Sequence, residues 1–247
     1  DGVVNVVQGG KEVSERLLAN PSVQAISFVG SSAVAESVYR QAAGHGKRVQ
    51  AGGGAKNFQI VMEDAEPDST IRAIMGASFG CAGQRCMAGS VLLGVGGAAG
   101  PLQDRLVAAM NALKVDDTSA NPAAEMGPVI DENSRKRILG FIGNAKLLRD
   151  GRTGIPNRGF FVGPTLVDGM ATAEEIFGPV ISIITVKNAE EAIRLANDFI
   201  IGTFAPNIII CRNRGQNGYA YSLRKRLRLA RAIILIDDNS THANITA

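Results

Sequence analysis

The residue best suited to nucleophilic chemistry in this sequence is a cysteine in a glycine-containing turn. Cys86 lies in the motif GQRCMA, residues 83–88, between a predicted helix and a predicted strand. A turn can expose a thiol to a cleft, and Arg85 and nearby helix-end dipoles favour the thiolate, which is the reactive form. Free cysteines are more often small buried hydrophobes, and Cys86 taken alone favours that second interpretation.

Four further motifs accompany the cysteine motif along the chain. They are FVGSS at 28–32, GGAKN at 53–57, GFFVGPT at 159–165 and AEEIFGPV at 173–180. Each has an ordinary structural interpretation: Gly30 and Ser31 are typical of a helix cap, and paired acids such as Glu174 and Glu175 are typical of a solvated helix start. Each also has a functional one. A glycine and a serine at a helix N-terminus suit a phosphate, and a carboxylate can accept two ribose hydroxyls.

Taken together, the five motifs resemble the aldehyde dehydrogenase superfamily in order and approximate spacing. Within it, the chain is most similar to the acyl-CoA-forming methylmalonate-semialdehyde dehydrogenases. That similarity rests on the GAKN form of the upstream motif, on ASFGCAGQRCMA at 77–88, on MGPVI at 126–130 and on FVGPTL at 161–166. The resemblance extends from residue 1 to about residue 200.

The resemblance implies a function and a set of site residues. It implies oxidation of an aldehyde, methylmalonate or malonate semialdehyde, through a thioester on Cys86, with hydride transfer to NAD and acyl transfer to coenzyme A. The Cys86 backbone N–H would be half of an oxyanion hole. The positions it implies for cofactor binding are Phe28, Gly30, Ser31, Gly52, Glu175 and Phe177. Lys56 and Asn57 either orient the loops around Cys86 or cap a turn.

The chain departs from the family pattern at three places. Gly52 occupies the position where many relatives carry a glutamate that serves as the base for thioester hydrolysis, which favours coenzyme A as acyl acceptor. The family's N-terminal portion is expected to be missing, and residues beyond about 200 match poorly. Two alternatives therefore stay open: a hydrolytic aldehyde dehydrogenase, and an inactive fragment that keeps the motifs.

Apolar periodicity predicts an α/β fold that positions these motifs. Helices are predicted at 11–20, 32–43, 68–80, 102–113, 133–146 and 189–197, and strands at 25–29, 47–50, 58–62, 90–95, 180–186, 207–211 and 233–236. The apolar run at residues 3–7 is also strand-like. By resemblance, residues 1–51 are the C-terminal half of a doubly wound dinucleotide-binding domain and 52–205 an α/β catalytic domain, followed by a poorly matched segment, 206–247.

Composition excludes several other classes. The 247 residues carry 26 basic and 23 acidic side chains, a balance that does not suggest a nucleic-acid or membrane partner. Three cysteines give no disulfide framework, and no His, Cys and Asp cluster has metal-ligand spacing, so no metal is predicted. We expect a cytoplasmic protein, or one of the mitochondrial matrix in a eukaryote. The resemblance also implies a homo-oligomer, a dimer or tetramer.

Overall fold

A computed structural model describes residues 2–143, 145–198, 208–211, 233–236 and 244–246. The chain divides into two compact units, the first ending at Gly54 and the second beginning at Ala55. This division lies three residues after the domain boundary predicted from the sequence. None of the described helices is long and apolar enough to cross a bilayer.

The first unit is a small parallel β–α–β arrangement preceded by a helix. Its elements are α1 (Lys11–Ala19), β1 (Ala25–Val29), α2 (Ser32–Gly44) and β2 (Arg48–Gly52). The two strands pair in parallel, and the apolar side chains of α1 and α2 pack on one face of them, with Leu18, Val38 and Ala42 buried. The alternating exposure along both strands is the period-two pattern of a sheet covered on one face.

The second unit is built on a mostly parallel sheet. Its helices are α3 (Pro67–Phe79), α4 (Ala99–Ala112), α5 (Glu132–Ile142) and α6 (Ala189–Asp198). Its strands are β3 (Asn57–Val61), β4 (Gly89–Val95), β5 (Leu147–Arg149), β6 (Thr165–Asp168), β7 (Val180–Val186), β8 (Ile208–Cys211), β9 (Ile233–Ile236) and β10 (Asn244–Thr246). Their spatial order is β10-β9-β8-β3-β4-β7-β6-β5, with antiparallel pairing at the two edges.

Helices cover both faces of this sheet, which explains the continuous apolar runs of its central strands. Successive side chains of β4 alternate between two cores, because strand side chains point to opposite faces. Leu92 packs with the buried faces of α3, α4 and α5, whereas Val91 and Leu93 pack with α6. The predicted α/β class is confirmed, and the strands at 25–29, 180–186 and 233–236 match their predicted bounds.

Sequence periodicity indicated one strand that does not form and failed to predict three short strands. Residues 3–7 form no strand, and their valines are exposed, since no described strand pairs with them. Periodicity also missed β5, β6 and β10, which are three or four residues long and too short for an alternation to stand out. The spacing of leucines among the basic residues 223–229 also predicts an amphipathic helix between β8 and β9, and this segment lies outside the described residues.

Glu66 caps the N-terminus of α3, the helix that leads into the Cys86 loop. Its carboxylate accepts the N–H groups of Ser69 at 2.6 Å and Asp68 at 2.9 Å. These bonds stabilise the charged form and lower the pKa of Glu66 to about 2 from its ordinary 4.5. Pro67 follows at the first helical position, where its missing N–H costs no hydrogen bond.

We therefore expect Glu66→Ala to destabilise the protein in a pH-dependent way. The folded pKa is depressed, so the stabilising contribution is fully present above pH 4.5 and is lost as pH falls through about 2. Denaturant unfolding between pH 2 and 7 measures the difference between wild type and variant. Asp64→Ala, at a neighbouring exposed carboxylate, is the control. A wild-type–variant difference that is the same at pH 2 and pH 7 would contradict the capping role.

Candidate active site

Three motifs meet at one edge of the large sheet because each lies just before a parallel strand. Lys56 and Asn57 stand at the start of β3, Cys86 precedes β4, and Glu175 precedes β7. Strands β3 and β4 are adjacent, as are β4 and β7, and all three run in the same direction. Their amino ends therefore form one edge, and the loops that enter them are neighbours.

The loop that carries Cys86 exposes this residue and has an unusual backbone. Cys86 is exposed, and a tight 3₁₀ turn, Gly80–Gly83, leads into its loop from α3. Cys81 and Ala82 in that turn both have φ of +52°, the left-handed region, which costs a non-glycine residue roughly 1–2 kcal/mol. Such strain persists where surrounding contacts over-determine the backbone, and it is frequent at functional sites.

Gly83 ends this turn where no other residue fits. Its φ is +69°, and a Cβ built there would lie 2.3 Å from the carbonyl oxygen of Gly178. The cysteine loop is thus packed directly against the segment 174–178. That segment has its own left-handed residue, Phe177, with φ of +50°. The three non-glycine residues with positive φ in the described chain all lie in these two loops.

Asn57 fixes the cysteine loop from beneath. Its buried side-chain amide donates to the carbonyl oxygens of Cys86, at 2.9 Å, and Ala88, at 3.0 Å. The side chain begins on β3, so the loop is attached to the centre of the sheet. Of the two interpretations open for Asn57, the structure supports the one in which it orients the Cys86 loop.

Lys56 fixes the acidic segment in the same way. Its side chain is 1% exposed, and Nζ donates to the carbonyl oxygen of Glu174 at 2.7 Å. Burial lowers the pKa of Lys56 to about 8, although the nearby carboxylates of Glu175 and Glu174 favour the charged form. Lys56 and the first residue of β3 thus hold the two loops.

Glu175 lies half-buried within this arrangement. Burial raises the pKa of its carboxyl group, and three features oppose that rise: the Ala55 backbone N–H that the carboxylate accepts, and the charges of Arg137 and Lys56. A carboxylate that is partly desolvated but surrounded by donors and cations is suited to accept hydroxyl groups of a ligand.

Arg85 bonds the cysteine loop to α3. Its guanidinium donates to the carbonyl oxygens of Gly76 and Ala77 near the C-terminus of α3. A positive charge is stabilised at that end of a helix by the helix dipole. It therefore anchors the loop to the helix. Gln84 adds a further link, accepting the N–H of Ile130 at 3.0 Å.

The predicted positions of the first unit gather at the end of β1. Gly30 donates its N–H to the carbonyl oxygen of Gly52 at 3.0 Å, which brings the ends of β1 and β2 together. The half-buried Phe28 ring lies under Gly30, 2.6 Å from where a Cβ would stand. Ser31 precedes α2 without a side-chain capping bond to it.

Two contributors to the site were not singled out by sequence reasoning. Arg137 on α5 donates to the carbonyl oxygens of Glu175, at 3.2 Å, and Ile176. Ala55 supplies a backbone N–H to the Glu175 carboxylate. An arginine on a polar helix face and an alanine in a motif carry no signal of their own. Among the described residues, no group of three or more His, Cys, Asp or Glu side chains is placed to hold a metal ion.

Comparison with known proteins identifies the family. The aldehyde dehydrogenase family model matches residues 1–206. The chain belongs to the aldehyde dehydrogenase family. The match ends where the sequence resemblance was expected to fade.

Curated relatives of this aldehyde dehydrogenase chain include malonate-semialdehyde dehydrogenases. The protein named malonate-semialdehyde dehydrogenase 1 in Geobacillus thermodenitrificans is 46% identical over 209 residues, covering 80% of this chain and 43% of that protein. That of Halalkalibacterium halodurans is 44% identical over 208 residues, again covering 80% and 43%. The chain therefore spans less than half the length of these relatives.

Solved structures of similar fold include methylmalonate-semialdehyde dehydrogenases. That of Oceanimonas doudoroffii has a TM-score of 0.84 and 38% identity, covering 96% of this chain and 50% of that one. A Sinorhizobium meliloti protein assigned to the same group was solved in complex with NAD, with a TM-score of 0.82 and 34% identity, covering 93% and 48%.

Removing the Asn57 amide should loosen the Cys86 loop. Asn57→Ala leaves two carbonyl groups without their donor, which typically costs about 1–3 kcal/mol of stability. Hydrogen exchange of the amides at 84–89 should accelerate more than exchange elsewhere. Asn111→Ala, which removes an exposed side chain bonded to Arg149, is the matched control. Unchanged exchange at 84–89 would show that Asn57 does not hold the loop.

Lys56 should make stability depend on pH in the alkaline range. Its folded pKa is about 8 against 10.5 unfolded, so from pH 8 to 10.5 the unfolded chain binds more protons and stability relative to Lys56→Met rises. The rise should be roughly 3 kcal/mol at most. Denaturant unfolding at pH 7, 8.5 and 10 measures it, with the exposed Lys136→Met as control. If the free energy of unfolding of the wild type, minus that of Lys56→Met, does not rise with pH, the effect of burial is contradicted.

Proposed function

We propose that the protein containing this chain oxidises an aldehyde through a thioester on Cys86, with NAD as hydride acceptor and coenzyme A as acyl acceptor. The supporting observation is the exposed Cys86 on a loop fixed by Asn57, packed against the segment that carries Glu175. The proposed substrate is methylmalonate or malonate semialdehyde, by analogy with the names of the relatives.

Cys86 would act as the nucleophile. Its thiolate attacks the aldehyde carbon, and the carbonyl electrons move to oxygen, which gives a thiohemiacetal. The Cys86 backbone N–H would donate to that oxygen, where negative charge develops. Loss of hydride from the same carbon restores the carbonyl group as a thioester. NAD, when bound, accepts that hydride.

Within each unit taken by itself, we assign certain residues to one part of a dinucleotide. In the second unit, Glu175 would accept the hydroxyls of the nicotinamide ribose, and Phe177 would line the nicotinamide. In the first unit, Gly30 and Ser31 immediately precede the 13-residue helix α2, and the Ser31 hydroxyl makes no capping bond to it, so it would serve a phosphate. Phe28 and Gly52 would shape this turn, since the ring lies under Gly30 and the Gly52 carbonyl accepts its N–H.

Coenzyme A is the proposed acyl acceptor because position 52 is a glycine. A glycine provides no carboxylate to activate water for hydrolysis of the thioester. A thiol such as coenzyme A attacks a thioester without that base, because a larger fraction of it is ionised near neutral pH than of water. The products would be an acyl-CoA and the free Cys86 thiol, so the cycle closes.

We further propose a cytoplasmic homo-oligomer acting on a small-molecule aldehyde. The support is the family of the chain.

Turnover assays with and without coenzyme A test this function. The protein is supplied with methylmalonate semialdehyde or propionaldehyde and NAD, and NADH is followed by absorbance. We expect sustained NADH formation with coenzyme A and a single turnover at most without it. Cys86→Ser should reduce the rate to background, whereas Cys81→Ser, at the other exposed thiol of the loop, should not.

Each outcome of these assays decides between functions. Sustained turnover without coenzyme A would replace the acylating proposal with a hydrolytic dehydrogenase. Full activity of Cys86→Ser would remove Cys86 from the mechanism. No NADH from the wild-type protein under either condition would support a chain that keeps the family's motifs without turnover.

A further inference from the structure

Arg137 on α5 is a second cationic anchor of the acidic segment. Its Nη1 donates to the carbonyl oxygen of Glu175 at 3.2 Å, and its Nη2 donates to that of Ile176. The two accepting carbonyls belong to consecutive peptides, so the planar guanidinium fixes the orientation of the backbone that carries the Glu175 side chain. Lys56 holds only the preceding carbonyl, that of Glu174.

Arg137 also lies over an aromatic ring of its own helix. The guanidinium carbon lies 5.8 Å from the centre of the Phe141 ring, one helical turn further along α5. A cation above an aromatic face is attracted by the negative charge of that face. Helix α5 is in turn anchored in the core by Ile138 and Ile142, both fully buried. Contacts through α5 and Arg137 thus link the buried core to the backbone of Glu175.

The positive charge of Arg137 also acts on the carboxylate of Glu175, the residue whose backbone its N–H groups hold. The groups that face Glu175 are the Ala55 N–H, Arg137 and Lys56, which all favour the ionised form against burial. Glu174 is the neighbouring acid, and its charge acts on Lys56. Removal of Arg137 would leave Lys56 as the one cation of this group.

We propose that Arg137 is a positioning residue that sets the affinity of the site for NAD by fixing the 175–176 backbone. This inference rests on the proposed function, since it takes Glu175 as the carboxylate that accepts the ribose hydroxyls. Arg137 does not touch the reacting atoms. Its loss should therefore weaken cofactor binding more than it slows the chemical step at saturating NAD.

Three variants separate positioning from a general effect on the fold. Arg137→Met removes charge and donors, and Arg137→Lys keeps the charge but cannot reach two carbonyls with a planar fork. Arg135→Met is the matched control: Arg135 lies on the same helix and donates to the Phe161 carbonyl, away from the acidic segment. Thermal unfolding of each variant verifies that it folds.

Calorimetric NAD binding and steady-state kinetics are the first measurement. We expect Arg137→Met to raise the NAD dissociation constant and KM about tenfold, ~1.4 kcal/mol, with little change in kcat. Arg137→Lys should fall between wild type and Arg137→Met. As pH is lowered, Arg137→Met should begin to lose affinity for NAD at a higher pH than the wild type does. The reason is that loss of the neighbouring cation raises the pKa of Glu175.

Hydrogen exchange of the amides at 173–178 is the second measurement, and it is independent of NAD. Exchange should accelerate in Arg137→Met and not in Arg135→Met. If the wild-type protein binds no NAD, the proposed function fails, and this exchange result alone decides whether Arg137 positions the segment. Equal exchange in Arg137→Met and Arg135→Met, or equal NAD affinity where wild type binds NAD, overturns the inference.

Discussion

The arrangement of this site depends on two consecutive residues at the start of one central strand. Lys56 donates to the carbonyl of Glu174, and Asn57 donates to the carbonyls of Cys86 and Ala88. Adjacent residues of a strand point to opposite faces, so neighbouring side chains can hold two different loops. Because β3 lies between β4 and β8, both loops are attached to the centre of the sheet.

Backbone strain and close packing then restrict the loops further. Left-handed residues lie on both of them, Cys81 and Ala82 on one and Phe177 on the other. Because Gly83 has no side chain, the two loops approach so closely that a Cβ at this position would clash with the carbonyl oxygen of Gly178. A conformation of this kind is stable only where many contacts act together. Here Arg85 and Gln84 bond the cysteine loop to α3 and to Ile130, and Arg137 bonds the other loop from α5.

These constraints relate directly to the proposed chemistry. A nucleophile and a cofactor-binding carboxylate on separate loops must keep a fixed separation through attack, hydride loss and acyl transfer. Buried polar anchors provide that, because each would lose a hydrogen bond in a low-dielectric environment if the loop moved. This burial has a cost at Lys56, since it lowers the pKa of the ammonium group to about 8 even beside two carboxylates.

The sequence by itself determined the α/β class, most of the helices and strands, and the family. These follow from local periodicity and from motifs whose residue types are tied to a chemistry. Tertiary structure alone decided that Asn57 and Lys56 are anchors and not turn caps, that Arg85 bonds a helix end, and that Arg137 reaches Glu175. Such pairings join residues 8 to 118 positions apart. They depend on strand order and on loop packing, which no local pattern encodes.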